Sequence, residues 1–109
     1  MSRKLICTQY FQQFSQKNIT WLAEHFAEEV TLRDWEISAI GKTSVLKANQ
    51  GIFDGVTTIE IRPQALYEDY DIVAAELEIE INGKDILKVV DVIEFNKENK
   101  IRAIRAYKG

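Results

Sequence analysis

The second half of the sequence alternates apolar with polar residues in segments that short turns separate. Such alternation predicts β-strands with one buried and one wetted face, and several short strands in succession favour an antiparallel sheet. The clearest turn is Asn82-Gly83, a dipeptide typical of two-residue hairpins. Pro63 interrupts the first segment and indicates an edge strand or a bulge, because proline cannot donate to a sheet ladder. The predicted strands cover residues 57–67, 72–81, 86–95 and 101–107.

The first half shows the three- and four-residue spacing of apolar side chains that is typical of amphipathic helices. Tyr10 lies on the apolar stripe of the first of them. Helices followed by antiparallel strands imply an α+β domain in which a curved sheet closes over the helices and leaves a pocket beneath it. The predicted helices cover residues 4–16, residues 19–27 behind a cap at Asn18, and residues from a cap at Gly41 or Thr43 to about residue 53.

A carboxylate interrupts the apolar face of the strand over residues 86–95. Asp91 shares that face with Leu87, Val89, Ile93 and Phe95, whereas the opposite face mixes charged with apolar side chains. Burying an ionised carboxylate costs several kcal/mol, so we expect Asp91 to hold its proton or to find a strong donor.

A second carboxylate, Asp34, follows Val30 and Leu32 on one face of a short strand predicted over residues 30–37. The alternative is that Asp34 simply ends this strand and faces solvent. We therefore treat Asp34 as a candidate site residue beside Asp91 and Tyr10.

Composition limits the kinds of partner and site. The 109 residues are expected to form one domain, residues 1–109, around a single core. A net charge of -3 argues against nucleic acid as a partner. The single cysteine, Cys7, cannot form an internal disulfide, and no signal peptide or membrane-length apolar run is present, so we expect a cytoplasmic protein that does not bind membranes.

We expect neither a metal site nor a cofactor. His25 is the only histidine, and it has no partners at metal-ligand spacing. The row formed by Glu76, Glu78 and Glu80 alternates with apolar residues, and we expect it to be a solvated outer face.

These residues together resemble the nuclear transport factor 2-like superfamily and, within it, the ketosteroid isomerases and SnoaL-like proteins. Residues 26–34 (FAEEVTLRD) are similar to the isomerases' stretch Tyr-Ala-Asp-Asp-Ala-Thr-Val-Glu-Asp, and residues 90–95 and 100–107 resemble their last strand pair. The resemblance is weakest over residues 55–82. It implies one SnoaL-like domain with a cone-shaped, curved antiparallel sheet around N-terminal helices, a cystatin-like α+β barrel.

The resemblance also implies roles for the three polar residues. Tyr10 falls on the isomerases' oxyanion-hole tyrosine, Asp34 on their general base and Asp91 on their protonated oxyanion-hole aspartic acid. The implied reaction moves a proton next to the carbonyl of a small apolar molecule, without a cofactor. The side chains expected to line the pocket are Phe14, Phe26, Trp35, Asn49, Phe53, Val89 and Ile93.

Several departures from the isomerases leave other functions open. Their second and third pocket tyrosines correspond to Phe26 and Asn49, so the substrate is expected to be smaller or more polar than a steroid. The alternatives are a SnoaL-like cyclase or dehydratase, or a non-catalytic module for binding a small ligand or for dimerisation. The resemblance implies a homodimer through the outer face of the sheet, and the apolar patch proposed for that contact is Val90, Val92, Ile104 and Ala106, unless these residues pack inside.

Overall fold

The computed structural model describes residues 2–109, which form three helices and one six-stranded sheet. None of these helices has the length and apolar character needed to cross a bilayer. The elements are α1 (Arg3–Ser15), α2 (Ile19–His25), β1 (Phe26–Arg33), β2 (Ser38–Ile40), α3 (Lys42–Gly55), β3 (Ile59–Asp69), β4 (Ile72–Ile81), β5 (Asp85–Phe95) and β6 (Ile101–Lys108).

The sheet is curved and does not close, and its strand order is β2-β1-β6-β5-β4-β3. All neighbouring strands are antiparallel except β1 and β6, which run parallel, so the sheet is mixed. Helix α1 packs against β3, and α3 packs against β1 and β2. The predicted α+β cone is therefore confirmed, but its sheet is not purely antiparallel as expected, because β1 and β6 form one parallel pair.

Local sequence signals account for the ends of the helices. The Ser2 hydroxyl accepts from the Leu5 backbone N–H at 3.1 Å and caps α1. Asn18 caps α2 as predicted, because its side chain accepts from the Trp21 N–H at 3.2 Å. Gly41 precedes α3 with a φ of +91°, a conformation that glycine adopts without a steric penalty.

The turn chemistry of the second half is also confirmed. Asn82 and Gly83 both have positive φ, 55° and 65°, and the Lys84 N–H donates to the Ile81 carbonyl at 3.0 Å, so the chain turns here as predicted. The loop has three residues and not two, because Ile81 pairs with Asp85. The Asn82 side chain accepts from the backbone N–H groups of Thr57 and Thr58, which fastens the hairpin to the start of β3. The register between β3 and β4 shifts between Pro63 and Ala65, so the proline marks a bulge on an edge strand.

Three predicted boundaries in the first half are wrong. Helix α2 ends at His25, and β1 begins at Phe26 and ends at Arg33, where the sequence favoured a helix to residue 27 and a strand over residues 30–37. The reason is a distant partner: Phe26 pairs with Ile101 in β6, and this pairing overrides the local helical pattern.

The outer face of the sheet differs from the expected apolar patch. Ile104 and Ala106 point to the inner face, and only Val90 and Val92 of the proposed patch remain on the outer one. The acidic row lies on this outer face as predicted, although it is ion-paired: Glu80 lies 3.2 Å from Arg62, and Glu78 contacts Lys88.

Candidate functional site

A cavity of about 200 Å³ lies between α1, α3 and the concave face of the sheet, and Tyr10, Asp34 and Asp91 all line it. The three polar residues singled out from the sequence therefore meet at one place. Most of the remaining wall is apolar, contributed by alternate residues of β3, β4 and β5. The apolar side chains of these strands at the cavity are Ile59, Ile61, Ile79, Ile81, Leu87 and Val89.

Asp91 sits in the middle of β5 on the inner face, and only 8% of it is exposed. Its neighbours across the sheet are Ala75 in β4 and Ala106 in β6, whose small side chains leave the carboxyl open to the cavity. Burial is the main reason that the pKa of Asp91 is raised from 3.8 to about 7, and the nearby charge of Asp34 is the second. A substantial share of Asp91 is thus neutral at physiological pH and can donate a hydrogen bond.

Asp34 lies directly after β1 and is half-buried at the cavity. Its Oδ1 accepts from the backbone N–H groups of Glu36 at 2.7 Å and Ile37 at 2.6 Å. The Asp34 N–H donates to the Ile37 carbonyl at 2.9 Å, which closes the turn into β2. Two N–H donors stabilise negative charge on the carboxylate and fix its direction, while Oδ2 remains available to a bound molecule.

Tyr10 belongs to the buried stripe of α1 and is only 3% exposed. The rings of Phe11, Phe14, Trp21 and Phe26 surround it, with centroids 5.4 to 6.4 Å away. Burial raises the pKa of Tyr10 well above its usual value, and the charges of Asp91 and Cys7 add to the effect. The phenol therefore stays protonated and can act as a hydrogen-bond donor.

Four of the seven expected lining side chains reach the cavity: Phe14, Trp35, Asn49 and Val89. Phe26, Phe53 and Ile93 do not, which corrects their assignment to the lining. Phe26 packs behind Tyr10, Phe53 packs edge-on against Phe14 at 4.7 Å, and Ile93 is fully buried in the core.

The isoleucine-rich end of the cavity was missed from the sequence. Ile59 and Ile61 of β3 lie opposite Ile81 and Ile79 of β4, around the Asn82-Gly83 hairpin. Their alternation in the sequence was a usable signal, but this is the region where the resemblance to the isomerases is weakest.

Trp35 and Lys108 stand at the rim of the site. The Lys108 ammonium lies 5.6 Å from the centroid of the Trp35 ring, a cation–π distance. Glu36 also lines the cavity near this rim and is exposed. Among residues 2–109, no cluster of three His, Cys, Asp or Glu side chains could hold a metal ion.

A family model described as a SnoaL-like domain matches residues 7–104 of this chain. No curated protein sequence matches it closely enough to count as a relative.

Solved structures share the fold over almost the whole chain. The epoxide hydrolase/cyclase-like enzyme SalBIII, with a role in pyran ring formation in the polyether salinomycin, is 24% identical with a TM-score of 0.84, over 98% of this chain and 90% of that one. A proposed isomerase of the SnoaL-like family from Agrobacterium tumefaciens is 12% identical with a TM-score of 0.84, over 100% and 99%. A proposed ketosteroid isomerase from Kribbella flavida is 16% identical with a TM-score of 0.85, over 98% and 77%. At these identities the likeness establishes the fold and not the reaction.

Proposed function

Since the chain belongs to the SnoaL-like domain family, whose fold it shares with isomerase-like and cyclase-like proteins, we propose that it is an isomerase that shifts a proton next to a carbonyl. In this proposal Asp34 is the base, and Tyr10 and neutral Asp91 form the oxyanion hole. The observation that carries the proposal is the meeting of two hydrogen-bond donors and one carboxylate in a single, largely apolar cavity.

The reaction runs in two proton transfers. The Asp34 carboxylate takes a proton from the carbon next to the carbonyl, and the electron pair of that C–H bond moves into an enolate. Asp34, now protonated, returns the same proton to a carbon further along the conjugated system. No proton or electron is gained or lost overall, so no co-reactant is required.

Stabilisation of the enolate falls to Tyr10 and Asp91. Both donate a hydrogen bond to the oxygen, whose negative charge grows mainly as the C–H bond breaks, so the transition state gains more than the ground state. An ionised Asp91 would repel the same oxygen. Its raised pKa is therefore the property on which the mechanism depends.

The dimensions of the cavity favour a small substrate. Drug-sized ligands occupy pockets of about 300–1,000 Å³, and this cavity, at about 200 Å³, is smaller. The apolar wall suits a hydrocarbon body, such as one substituted ring, with the carbonyl directed toward Tyr10 and Asp91.

The test is the conversion of cyclohex-3-en-1-one to its conjugated isomer, followed by ultraviolet absorbance. We expect measurable turnover by the wild-type protein and a loss of about 100-fold or more in Asp34→Asn, the size typical for removal of a general base. Glu36→Gln is the matched control, because it neutralises another carboxylate at the same cavity, and it should leave the rate nearly unchanged. An unchanged rate in Asp34→Asn would show that Asp34 is not the base.

A second candidate, a cyclase, is favoured by the same pair of carboxyl groups. A neutral acid and a carboxylate in one cavity are also suited to ring closure onto an epoxide: Asp91 would protonate the epoxide oxygen while Asp34 removes the proton of the attacking hydroxyl. SalBIII, which shares this fold, is described as epoxide hydrolase/cyclase-like. Turnover of a small hydroxy-epoxide without turnover of the enone would favour the cyclase. If the protein turns over neither compound but still binds a small ligand, a non-catalytic binding module is favoured.

A further inference from the structure

Asn49 is a buried amide on a helix face that is otherwise apolar. It lies one turn from Val45 and one turn from Phe53, and these three are the buried residues of α3. Only 1% of Asn49 is exposed, and its Oδ1 has no hydrogen-bond partner among the described residues. The side chain nevertheless lines the cavity beside Tyr10 and Asp91.

Packing gives no reason for an amide at this position. A buried amide oxygen without a partner has lost its hydrogen bonds to water and gained none in return, so a leucine of similar size would suit an apolar helix face better. The side chain lines the cavity, and a half-turn of its amide plane, which exchanges Oδ1 with Nδ2, presents the oxygen to a bound molecule as the missing partner.

We propose that Asn49 recognises a hydroxyl group on the substrate, so that the substrate is a small hydroxylated carbonyl compound. This inference rests on the proposed function, because Tyr10 and Asp91 are taken to hold the carbonyl oxygen. A hydroxyl group donates one hydrogen bond and accepts others, and the amide offers both an acceptor, Oδ1, and a donor, Nδ2. Asn49 is then a specificity residue that contacts the substrate away from the reacting carbon.

Three of the other polar groups at the cavity are already committed to different tasks, and Glu36 is an exposed carboxylate at its rim. Tyr10 and Asp91 are donors aimed at the carbonyl oxygen, and Asp34 must stay free to take the proton. The isoleucine-rich wall offers nothing to a hydroxyl. Asn49 is therefore the uncharged group in the cavity that can select for a second polar group.

Phenols are suitable probes because a phenol oxygen occupies the place of the enolate oxygen. Two matched pairs differ only by a methyl in place of a hydroxyl. The first pair is 4-ethylphenol and 4-(hydroxymethyl)phenol, and the second is 3-ethylphenol and 3-(hydroxymethyl)phenol. Dissociation constants are measured by calorimetry for the wild type, Asn49→Leu, Asn49→Ala, Tyr10→Phe and Ile52→Val. The last is a control, since Ile52 lines the same cavity from the same helix.

In at least one pair, we expect the preference for the hydroxymethyl compound to fall by about tenfold or more in both Asn49 variants, because the hydroxyl then lacks its partner. Ile52→Val should leave this preference unchanged, and Tyr10→Phe should weaken the binding of both members of a pair by the same factor. Circular dichroism confirms that each variant is folded. If Asn49→Leu does not fold, Asn49→Ala carries the test.

Two results would overturn the inference and leave the proposed function standing. One is phenol binding that depends on Tyr10 while the preference stays the same in both Asn49 variants. The other is an equal loss for all four phenols in the Asn49 variants, which would show that Asn49 acts through Tyr10. If none of the phenols binds the wild type, the oxyanion hole and the inference built on it are both wrong.

Discussion

Asp91 makes the stability of this protein depend on pH in an unusual direction. Its pKa is 3.8 when the chain is unfolded and about 7 when it is folded, so the native state binds the proton more tightly between these values. The free energy of unfolding must therefore fall as the pH rises through this window. The rise in pKa corresponds to about 4 kcal/mol, lost in full above pH 7.

The change that tests this is Asp91→Asn, which keeps the shape of the side chain and removes its charge. We expect the variant to be more stable than the wild type above about pH 7, by up to about 4 kcal/mol, and to differ little near about pH 4. Denaturant unfolding across this range measures the difference. Asp85→Asn, at an exposed position in the same strand, is the control and should leave the pH dependence as in the wild type. A wild-type free energy of unfolding that does not fall between these pH values would contradict the raised pKa of Asp91.

The same titration should govern catalysis. Neutral Asp91 donates to the developing enolate, whereas ionised Asp91 repels it, so kcat/KM for the enone should decline as the pH rises through about 7. In Asp91→Asn the amide donates at every pH, and we expect this decline to disappear. Initial rates at low substrate concentration across the pH range provide the measurement. A decline that persists at the same pH in Asp91→Asn would belong to another group.

Most elements could be predicted because their signals are local. The apolar spacing of α1 placed Tyr10 on a buried stripe, and the alternation of β5 placed Asp91 on the inner face, as the structure has them. The hairpin at Asn82 and the bulge at Pro63 follow from the backbone preferences of single residues. These features need no knowledge of which strand pairs with which.

The features that were missed depend on what lies nearby in space and not on the spacing of apolar residues along the chain. Strand β2 has only three residues and no buried side chain, and it forms because the Asp34 turn returns the chain alongside β1. In β6, Ala103, Ile104 and Ala106 are all apolar, so alternation alone does not say which face is inner; the pairing of Ala106 with Asp91 decides it. The unpartnered state of Asn49 likewise depends on what lies around it, and spacing alone does not reveal it.

Two glycines of the α3 region should respond oppositely to alanine. Gly41 has a φ of +91° and a ψ of 151°, and neither Gly41 nor Gly51 has a heavy atom within 4 Å of an added Cβ. Gly41→Ala should destabilise the protein by about 1–3 kcal/mol, the cost of a backbone region that is essentially reserved for glycine. Gly51→Ala, in an exposed part of the helix, should stabilise it by about 0.5–1 kcal/mol. Chemical denaturation measures both changes in the free energy of unfolding. A Gly41→Ala variant as stable as the wild type would contradict the backbone argument.

At the scale of the whole molecule, the outer face of the sheet carries an exposed row that crosses four strands. The Tyr67 hydroxyl donates to Glu76 at 2.7 Å, Glu76 pairs with Val90 in β5, and Val90 pairs with Tyr107 in β6. Tyr67, Val90 and Tyr107 are all exposed. A tyrosine-bearing surface with apolar neighbours is of the kind found at protein interfaces, and its centre lies on the strands that hold the cavity.

The homodimer stays a prediction, and this row now defines where its contact should lie. We expect the wild type to sediment as a dimer at micromolar concentration, and Tyr107→Lys to shift it to a monomer of about 12.6 kDa, because taking the charge of a lysine out of water in the contact is costly. Tyr70→Lys is the matched control: Tyr70 is even more exposed but lies in the turn between β3 and β4, so its variant should remain dimeric. A wild-type protein that sediments as a monomer would reject the dimer. A Tyr107→Lys protein that stays dimeric would place the contact on another surface. Neither result changes the chemistry proposed for the cavity, because the cavity opens on the opposite face of the sheet.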